Sequence, residues 1–381
     1  MKFSTKAIHI GQVPEETTGA VVPPVFMTST FAQEAPGKFK GYDYTRAGNP
    51  TFSCLEKTLA ALENGKYATV FSSGLGAMTA LISTLSKGES VLALDDLYGG
   101  SYRLFIRVFQ KFGVEPRFMP MNDLKNVENA LKKRPKILFL ESPTNPLLKV
   151  TDISAITKLS QKYKILSVVD NTFATPYFQN PLRLGADVVL HSTTKYIGGH
   201  SDVIGGAIIT NSQEIKEQMD FARMAVGLNP SPFDTWLLSR SLKTLGVRME
   251  KHAANAMKIA LFLQDHPKVK KVYYPGLPSH DTHRIAKRQM SGFSGIISVE
   301  FNLSLEEVKK LISSFQVFTL AESLGGVESL VDHPASMTHA SIPKKEREKI
   351  GLSDGLVRFS IGIEDAHDLV EDIEKGLDRM T

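Results

Sequence analysis

The stretch Ala186-Asp187-Val188-Val189-Leu190-His191-Ser192-Thr193-Thr194-Lys195-Tyr196 carries an apolar run into three hydroxyl residues and then a lysine. Val188, Val189 and Leu190 read as a buried strand, and Gly198-Gly199 just beyond the lysine let the backbone turn sharply. An amine held just past a buried strand end is partly desolvated, which lowers its pKa and makes it nucleophilic. Ser192 and Thr194, two residues apart, point the same way and offer hydroxyls to one anion. A lone lysine is ordinarily a solvated loop residue. Here the rest of the chain supplies it with company.

Outward from this strand, short apolar runs alternate with helical periodicity. Tyr67–Phe71, Val91–Leu94, Ile137–Leu140, Ile165–Val169 and Ile204–Ile209 read as further strands. Leu55, Leu59 and Leu62, then Gly74–Met78, then Phe105, Val108, Phe109 and Phe112, and Ile153, Ile156 and Leu159 mark intervening helices. Strands apolar on both faces, separated by helices, predict an α/β fold with a mostly parallel sheet covered on each side. Near 234–265 the rhythm becomes one long helical stretch, and a boundary is expected around residue 245. Beyond it, strands at Val269–Tyr274, Gly295–Phe301 and Leu356–Ile361 predict a smaller α+β domain. Ser304 with Glu307 spells a capping box, and Leu369, Ile373 and Leu377 line a closing helix with Glu364 and Asp365 in its first turn. Residues 1–47 lack periodicity but carry Phe26, Phe31, Phe39, Tyr42 and Tyr44, which argues against disorder and for an arm packed on a partner subunit. The expected division is 1–47, 48–245 and 246–381.

Composition excludes several classes. With 42% hydrophobic and 22% charged residues the chain has the balance of a soluble globular enzyme. Its net charge of +5 is dispersed, and the basic runs Lys132-Lys133-Arg134 and Lys344-Lys345-Glu346-Arg347 lack interleaved aromatics. Solvated faces are the better reading, and no nucleic-acid partner is expected. Cys54 is the single cysteine, so no disulfide forms within the chain. No run approaches the roughly 18 apolar residues of a membrane span, and the amino terminus lacks a signal-peptide core, so a cytoplasmic protein without a membrane partner is expected. The histidines, His191, His200, His280, His283, His333 and His339, show no metal-binding spacing, and no metal is expected.

Four features converge on one bound cofactor. Lys195 with Ser192 and Thr194 is the first. Ser72-Ser73-Gly74-Leu75-Gly76, between a strand and a helix, is the second: its backbone N–H groups can meet an anion at a helix amino terminus. It lacks the Gly-Lys-Ser/Thr of a Walker loop and the third glycine of a dinucleotide fingerprint, which disfavours a nicotinamide oxidoreductase. The third is Asp170, a carboxylate closing an apolar strand, which suits either a protonated pyridine nitrogen or a cap of the following turn. The fourth is Arg358, inside the apolar run Val357-Arg358-Phe359, which suits either a substrate carboxylate or a structural ion pair. A nucleophilic lysine, a phosphate cup, an acid for a ring nitrogen and a carboxylate receptor together describe a pyridoxal 5'-phosphate site.

The ordered motifs Asp43-Tyr44-Thr45-Arg46-x-Gly48-Asn49-Pro50, Ser72-Ser73-Gly74-Leu75, Asp96-x-Tyr98-Gly99-Gly100, Glu141-Ser142-Pro143-Thr144-Asn145-Pro146, Val169-Asp170-Asn171-Thr172, Ser192-Thr193-Thr194-Lys195-Tyr196 and Ala321-Glu322-Ser323-Leu324-Gly325-Gly326 resemble the Cys/Met-metabolism family of pyridoxal phosphate enzymes over nearly the whole length. That family comprises cystathionine gamma-lyase, cystathionine gamma-synthase, cystathionine beta-lyase and methionine gamma-lyase. The resemblance implies a fold type I (aspartate aminotransferase-like) enzyme that assembles as a homotetramer, a dimer of dimers. It implies Lys195 as Schiff-base lysine and proton shuttle, Asp170 on the pyridine nitrogen, Asn145 near the ring oxygen, and Gly74, Leu75, Ser192 and Thr194 on the phosphate. It further implies Tyr98 stacked on the ring as an acid/base group, Tyr44 and Arg46 reaching a neighbouring subunit's phosphate, and Arg358 with Ser323 receiving the substrate carboxylate.

Within the family, Gly100 stands where methionine gamma-lyases carry a cysteine, which counts against that activity. Glu322 matches the acid of gamma-lyases and gamma-synthases and could position the distal amino group of cystathionine. Asp43 and Gly100-Ser101-Tyr102-Arg103 resemble gamma-synthases. Arg248-Met249-Glu250-Lys251-His252 and Tyr274-Pro275-Gly276-Leu277-Pro278-Ser279-His280 resemble gamma-lyases. The expected activity is cystathionine gamma-lyase or a close gamma-synthase, with beta-lyase as the alternative. A non-enzymatic dimeric module of the same fold would have lost Lys195 or Asp170, and both are present.

Overall fold

The computed structural model describes residues 1–340, 344, 345, 347 and 351–380. Glu346 of the second basic run lies outside the described residues, while Lys132, Lys133 and Arg134 are exposed.

Seven strands form the central sheet: β3 (Tyr67–Phe71), β4 (Ser90–Leu94), β5 (Glu115–Met119), β6 (Ile137–Glu141), β7 (Leu166–Asp170), β8 (Val188–Ser192) and β9 (Gly206–Thr210), in the order β3-β9-β8-β7-β6-β4-β5. The pairs β4–β5, β4–β6, β6–β7 and β7–β8 are parallel; β9 runs against both β8 and β3. The period of two explains the double burial. On β8, Val188 and Leu190 join one apolar cluster while Val189 joins another on the opposite face. The central strands β6, β7 and β8 all end on the same edge, at Glu141, Asp170 and Ser192. This carboxyl edge is where parallel sheets take ligands.

A second sheet has the order β10-β11-β14-β13-β12, built from β10 (Val269–Tyr273), β11 (Ile296–Phe301), β12 (Thr319–Leu320), β13 (Leu330–Asp332) and β14 (Leu356–Ser360). It packs its own apolar cluster against the helix Ala366–Asp378. Residues 1–47 carry a helix (Phe3–His9) and a ribbon of β1 (Gln33–Ala35) with β2 (Lys38–Phe39); Phe26, Phe39 and Tyr44 stay exposed.

Several expectations need correction. The helix through Phe105 ends at Arg107, and Phe109–Phe112 is a separate 3-10 turn; Val108 and Phe112 are exposed, so the four aromatic and apolar positions do not share one face. The long stretch 234–265 is two helices, Pro232–Leu242 and Leu245–Gln264, broken at Lys243-Thr244. The strand expected from Ile204 starts at Gly206, and Ile204 is exposed. Asp365 is the N-cap of the last helix, accepting from the His367 N–H at 2.8 Å, and Glu364 instead accepts from Ser329. β5 escapes the pattern because it is an edge strand containing Pro116 and Arg117. The Ser304/Glu307 capping box is present.

Candidate active site

A cavity of about 750 Å³ opens at the carboxyl edge of the central sheet, where the second sheet closes over it. Lys195 emerges three residues beyond β8 and donates from Nζ to Ser323 Oγ at 2.7 Å. Burial lowers its amine from the ordinary lysine value to about 8; the Arg358 charge pushes the same way, and Asp332 and Glu322 oppose.

On the floor, Asp170 ends β7 directly beside Glu141, which ends β6 in register with it. Asp170 accepts from the Thr172 N–H at 2.9 Å, and burial raises its carboxyl above the usual range. Glu141 accepts from the Tyr98 N–H at 3.0 Å and the Asn145 N–H at 2.9 Å. Burial, and next the neighbouring Asp170, hold the Glu141 carboxyl well above the ordinary carboxylate range. Behind this floor the imidazole of His191 meets Glu63 at 2.6 Å, both wholly buried.

The helix Gly74–Ile82 points its amino terminus into the cavity. Ser73 caps it by accepting from the Gly76 N–H at 2.9 Å, which leaves the earliest N–H groups of the turn for a ligand. A Cβ on Gly74 would stand 2.8 Å from the Ser192 Cβ, so glycine is what lets this helix end close on the strand end. Ser192 and Thr194 both line the cavity as expected. Thr194 Oγ1, however, is tied to Gly205, donating to its carbonyl at 3.2 Å and accepting from its N–H at 3.1 Å, which leaves Ser192 as the freer hydroxyl.

Across the cavity, Arg358 is fully buried and donates from Nη1 to Asn145 Oδ1 at 2.8 Å and from Nη2 to the Ser323 carbonyl at 3.0 Å. It also pairs with Asp332, so the structural ion pair weighed from sequence is present, and the same side chain lines the cavity. Glu322 lies exposed on the loop after β12, at the rim. Tyr98 is partly exposed and lines the wall. Tyr44 and Arg46 lie elsewhere in the same chain, on a separate cavity of about 370 Å³, with the guanidinium 5.5 Å from the Tyr44 ring centroid.

Sequence reasoning gave no role to Glu141, Asp332 or His339, whose Nε2 meets the Asn145 carbonyl at 3.1 Å. Glu141 was discoverable, because it closes an apolar strand just as Asp170 does. Asp332 and His339 carry no comparable local signal.

These residues fit pyridoxal phosphate. An anion-ready helix end with a hydroxyl, a carboxylate at the strand-end floor and an amine of lowered pKa share one cavity, and together they are the donor set that the cofactor's phosphate, ring nitrogen and aldehyde require.

The fold and site define a pyridoxal phosphate-dependent α/β enzyme. Residues 4–378 match the family model described as Cys/Met metabolism PLP-dependent enzyme, and the chain belongs to that family. It is 49% identical over 377 residues to a cystathionine beta-lyase of Coxiella burnetii, covering 98% of this chain and 97% of that one. It is 47% identical over 380 residues to a cystathionine gamma-lyase of Bacillus subtilis, covering 100% of both. A solved cystathionine gamma synthase from Xanthomonas oryzae pv. oryzae in complex with cystathionine superposes with a TM-score of 0.97 at 43% identity, covering 100% of this chain and 98% of that one.

Proposed function

We propose that this chain is a transsulfuration enzyme acting on cystathionine, and specifically a cystathionine gamma-lyase that converts L-cystathionine and water to cysteine, 2-oxobutyrate and ammonia. The observation that carries the reading is Lys195 in one cavity with Asp170, the Gly74 helix end and a rim carboxylate, Glu322. Relatives of nearly equal identity are named beta-lyase and gamma-lyase, which supports cystathionine as substrate and keeps cleavage to homocysteine, pyruvate and ammonia as the second reading.

Pyridoxal phosphate, when bound, supplies an aldehyde that condenses with amines and a ring that withdraws electrons from the substrate Cα. Asp170 holds the proton on the ring nitrogen, and Gly74, Leu75, Ser192 and Thr194 hold the phosphate. Arg358, with Asn145 and Ser323, orients the α-carboxylate. Lys195 Nζ takes the α-proton, and its amine of about 8 leaves a useful neutral fraction near neutrality. Departure of a γ-substituent needs a second proton taken from Cβ, which Lys195 would serve with Tyr98 as helper once it has given up the α-proton and is neutral again. Glu322 holds the distal ammonium, favouring a substrate with two amino groups. Tyr44 and Arg46 complete the phosphate site of a neighbouring subunit, in a cytoplasmic homotetramer with a 1–47 arm, a 48–245 cofactor domain and a 246–381 small domain.

The test is product analysis with L-cystathionine alone. Production of 2-oxobutyrate and cysteine supports the gamma-lyase reading; pyruvate and homocysteine establish the second. Turnover only with an activated homoserine ester and cysteine means gamma-synthase and rejects both.

A further inference from the structure

Asp332 on β13 and Arg358 on β14 face each other across an antiparallel pair, and both are almost completely buried. Nη2 of Arg358 donates to Oδ2 of Asp332 and to the Ser323 carbonyl, and Nη1 donates to Asn145 Oδ1. A guanidinium has five N–H donors, one on Nε and two on each terminal nitrogen. Both Nη2 hydrogens are therefore committed, and Nε has no partner among the described residues. A planar carboxylate can be gripped at two points through Nε with Nη2, or through Nη1 with Nη2. Either grip draws on an Nη2 hydrogen. Asp332 Oδ1 is likewise buried without a partner among the described residues, so the pair seen there is not the full two-point form.

Resting on the assignment of Arg358 as carboxylate receptor, we propose that Asp332 is an internal competitor for that grip: it occupies Nη2 until the substrate's α-carboxylate displaces it. The arrangement follows from the cost of leaving a buried guanidinium unpaired between turnovers. Asp332 removes that cost and in exchange weakens the hold on the ligand. It is a specificity and positioning residue, acting through Arg358.

The groups facing Asp332 are Arg358, Glu322 and Lys195, and His339 is near enough to Arg358 to feel its charge. Burial raises the Asp332 carboxyl to about 6; Arg358 and Lys195 restrain the rise and Glu322 adds to it. Competition therefore fades as pH falls through that value, since a protonated Asp332 no longer pairs as an anion.

The experiment is calorimetric binding of propionate, an unreactive monocarboxylate, to the cofactor-loaded enzyme. At pH 7.5, Asp332→Asn should tighten propionate binding about fivefold or more, because a charged competitor becomes a neutral one. Asp332→Glu, which keeps the charge, should stay within about twofold of the wild type. In the wild type, affinity corrected for propionate's own ionisation should rise between pH 7.5 and 5.5, and Asp332→Asn should abolish that trend. A folded Asp332→Asn variant with unchanged or weaker binding overturns the proposal. If that variant does not fold, a wild-type affinity that fails to rise toward pH 5.5 overturns it equally. Arg358→Lys reports separately on the receptor: unaltered propionate binding there rejects the assignment of Arg358 itself.

Discussion

The Lys195 Nζ rests 2.7 Å from the Oγ of Ser323, a residue whose backbone φ is +90°. Lys195 follows the central sheet and Ser323 lies between β12 and β13 of the second sheet, so this one bond joins the two halves across the cavity. A non-glycine residue at such a φ carries local strain of about 1–3 kcal/mol, which the surrounding contacts must offset. Here the Ser323 carbonyl is held by Arg358 and its hydroxyl by Lys195. The strained residue thus sets the distance between the amine and the guanidinium.

The first prediction concerns that amine. In cofactor-free protein, labelling of Lys195 by an amine-reactive reagent should rise with a midpoint near 8. Glu322→Gln removes a charge that favours the ammonium and should lower the midpoint, whereas Arg358→Met should raise it. A wild-type midpoint at the ordinary lysine value of about 10.4 would show the side chain is solvated. The stability linkage has the same origin. Between about 8 and the unfolded value the unfolded chain holds the extra proton, so this group's contribution to stability grows as pH rises through that window and is lost below it.

The second prediction concerns Glu141, which receives the N–H groups of Tyr98 and Asn145 with its two carboxylate oxygens. Glu141→Ala leaves the buried Asn145 donor and the part-buried Tyr98 donor unmatched and should cost about 2–4 kcal/mol in urea unfolding. Glu141→Gln, which retains one acceptor, should cost less. Equal losses for the two variants would overturn this account, because Gln keeps the volume and one acceptor and neither would then have counted.

Much of this site was legible in the chain because strand ends are legible: Asp170, Ser192 and Lys195 each terminate or follow an apolar run, and a parallel sheet gathers such ends on one edge. The Gly74 helix end was readable for the same reason. The contacts across the cavity were not. Asp332, His339 and Asn145 meet Arg358 or one another through tertiary packing between segments far apart in sequence, and no local period encodes that. The Phe105–Phe112 error has a local cause, since the backbone shifts from α to 3-10 winding after Arg107 and turns Val108 and Phe112 outward.

Gly100 supports a third prediction. A Cβ there would stand 2.3 Å from Tyr98 Cε1, inside any allowed contact, so the ring must swing away from the cavity wall. Gly100→Ala should therefore lower cofactor retention on dialysis about fivefold or more, in line with roughly the 1–3 kcal/mol of a displaced, overpacked side chain. The same substitution in a Tyr98→Ala background should add little, because the clash partner is gone. Additive losses would place the effect on the backbone of the helix Gly99–Arg107 instead.

Glu63 and His191 lie beneath the floor, where Glu63 Oε1 takes both the imidazole at 2.6 Å and the Asn171 Nδ2 donor at 2.8 Å. All three residues are sealed from solvent, and Asn171 directly follows Asp170. Glu63→Ala would strip an acceptor from two buried donors at once, so a loss of about 3–5 kcal/mol is expected, at the upper end for a single side chain. Glu63→Gln keeps a carbonyl oxygen for one donor and should lose about half as much. Because the bonds anchor the segment just after Asp170, the milder variant should also release cofactor faster while remaining folded. If Glu63→Gln retains cofactor like the wild type despite lowered stability, the network supports the fold alone and does not position the acid above it.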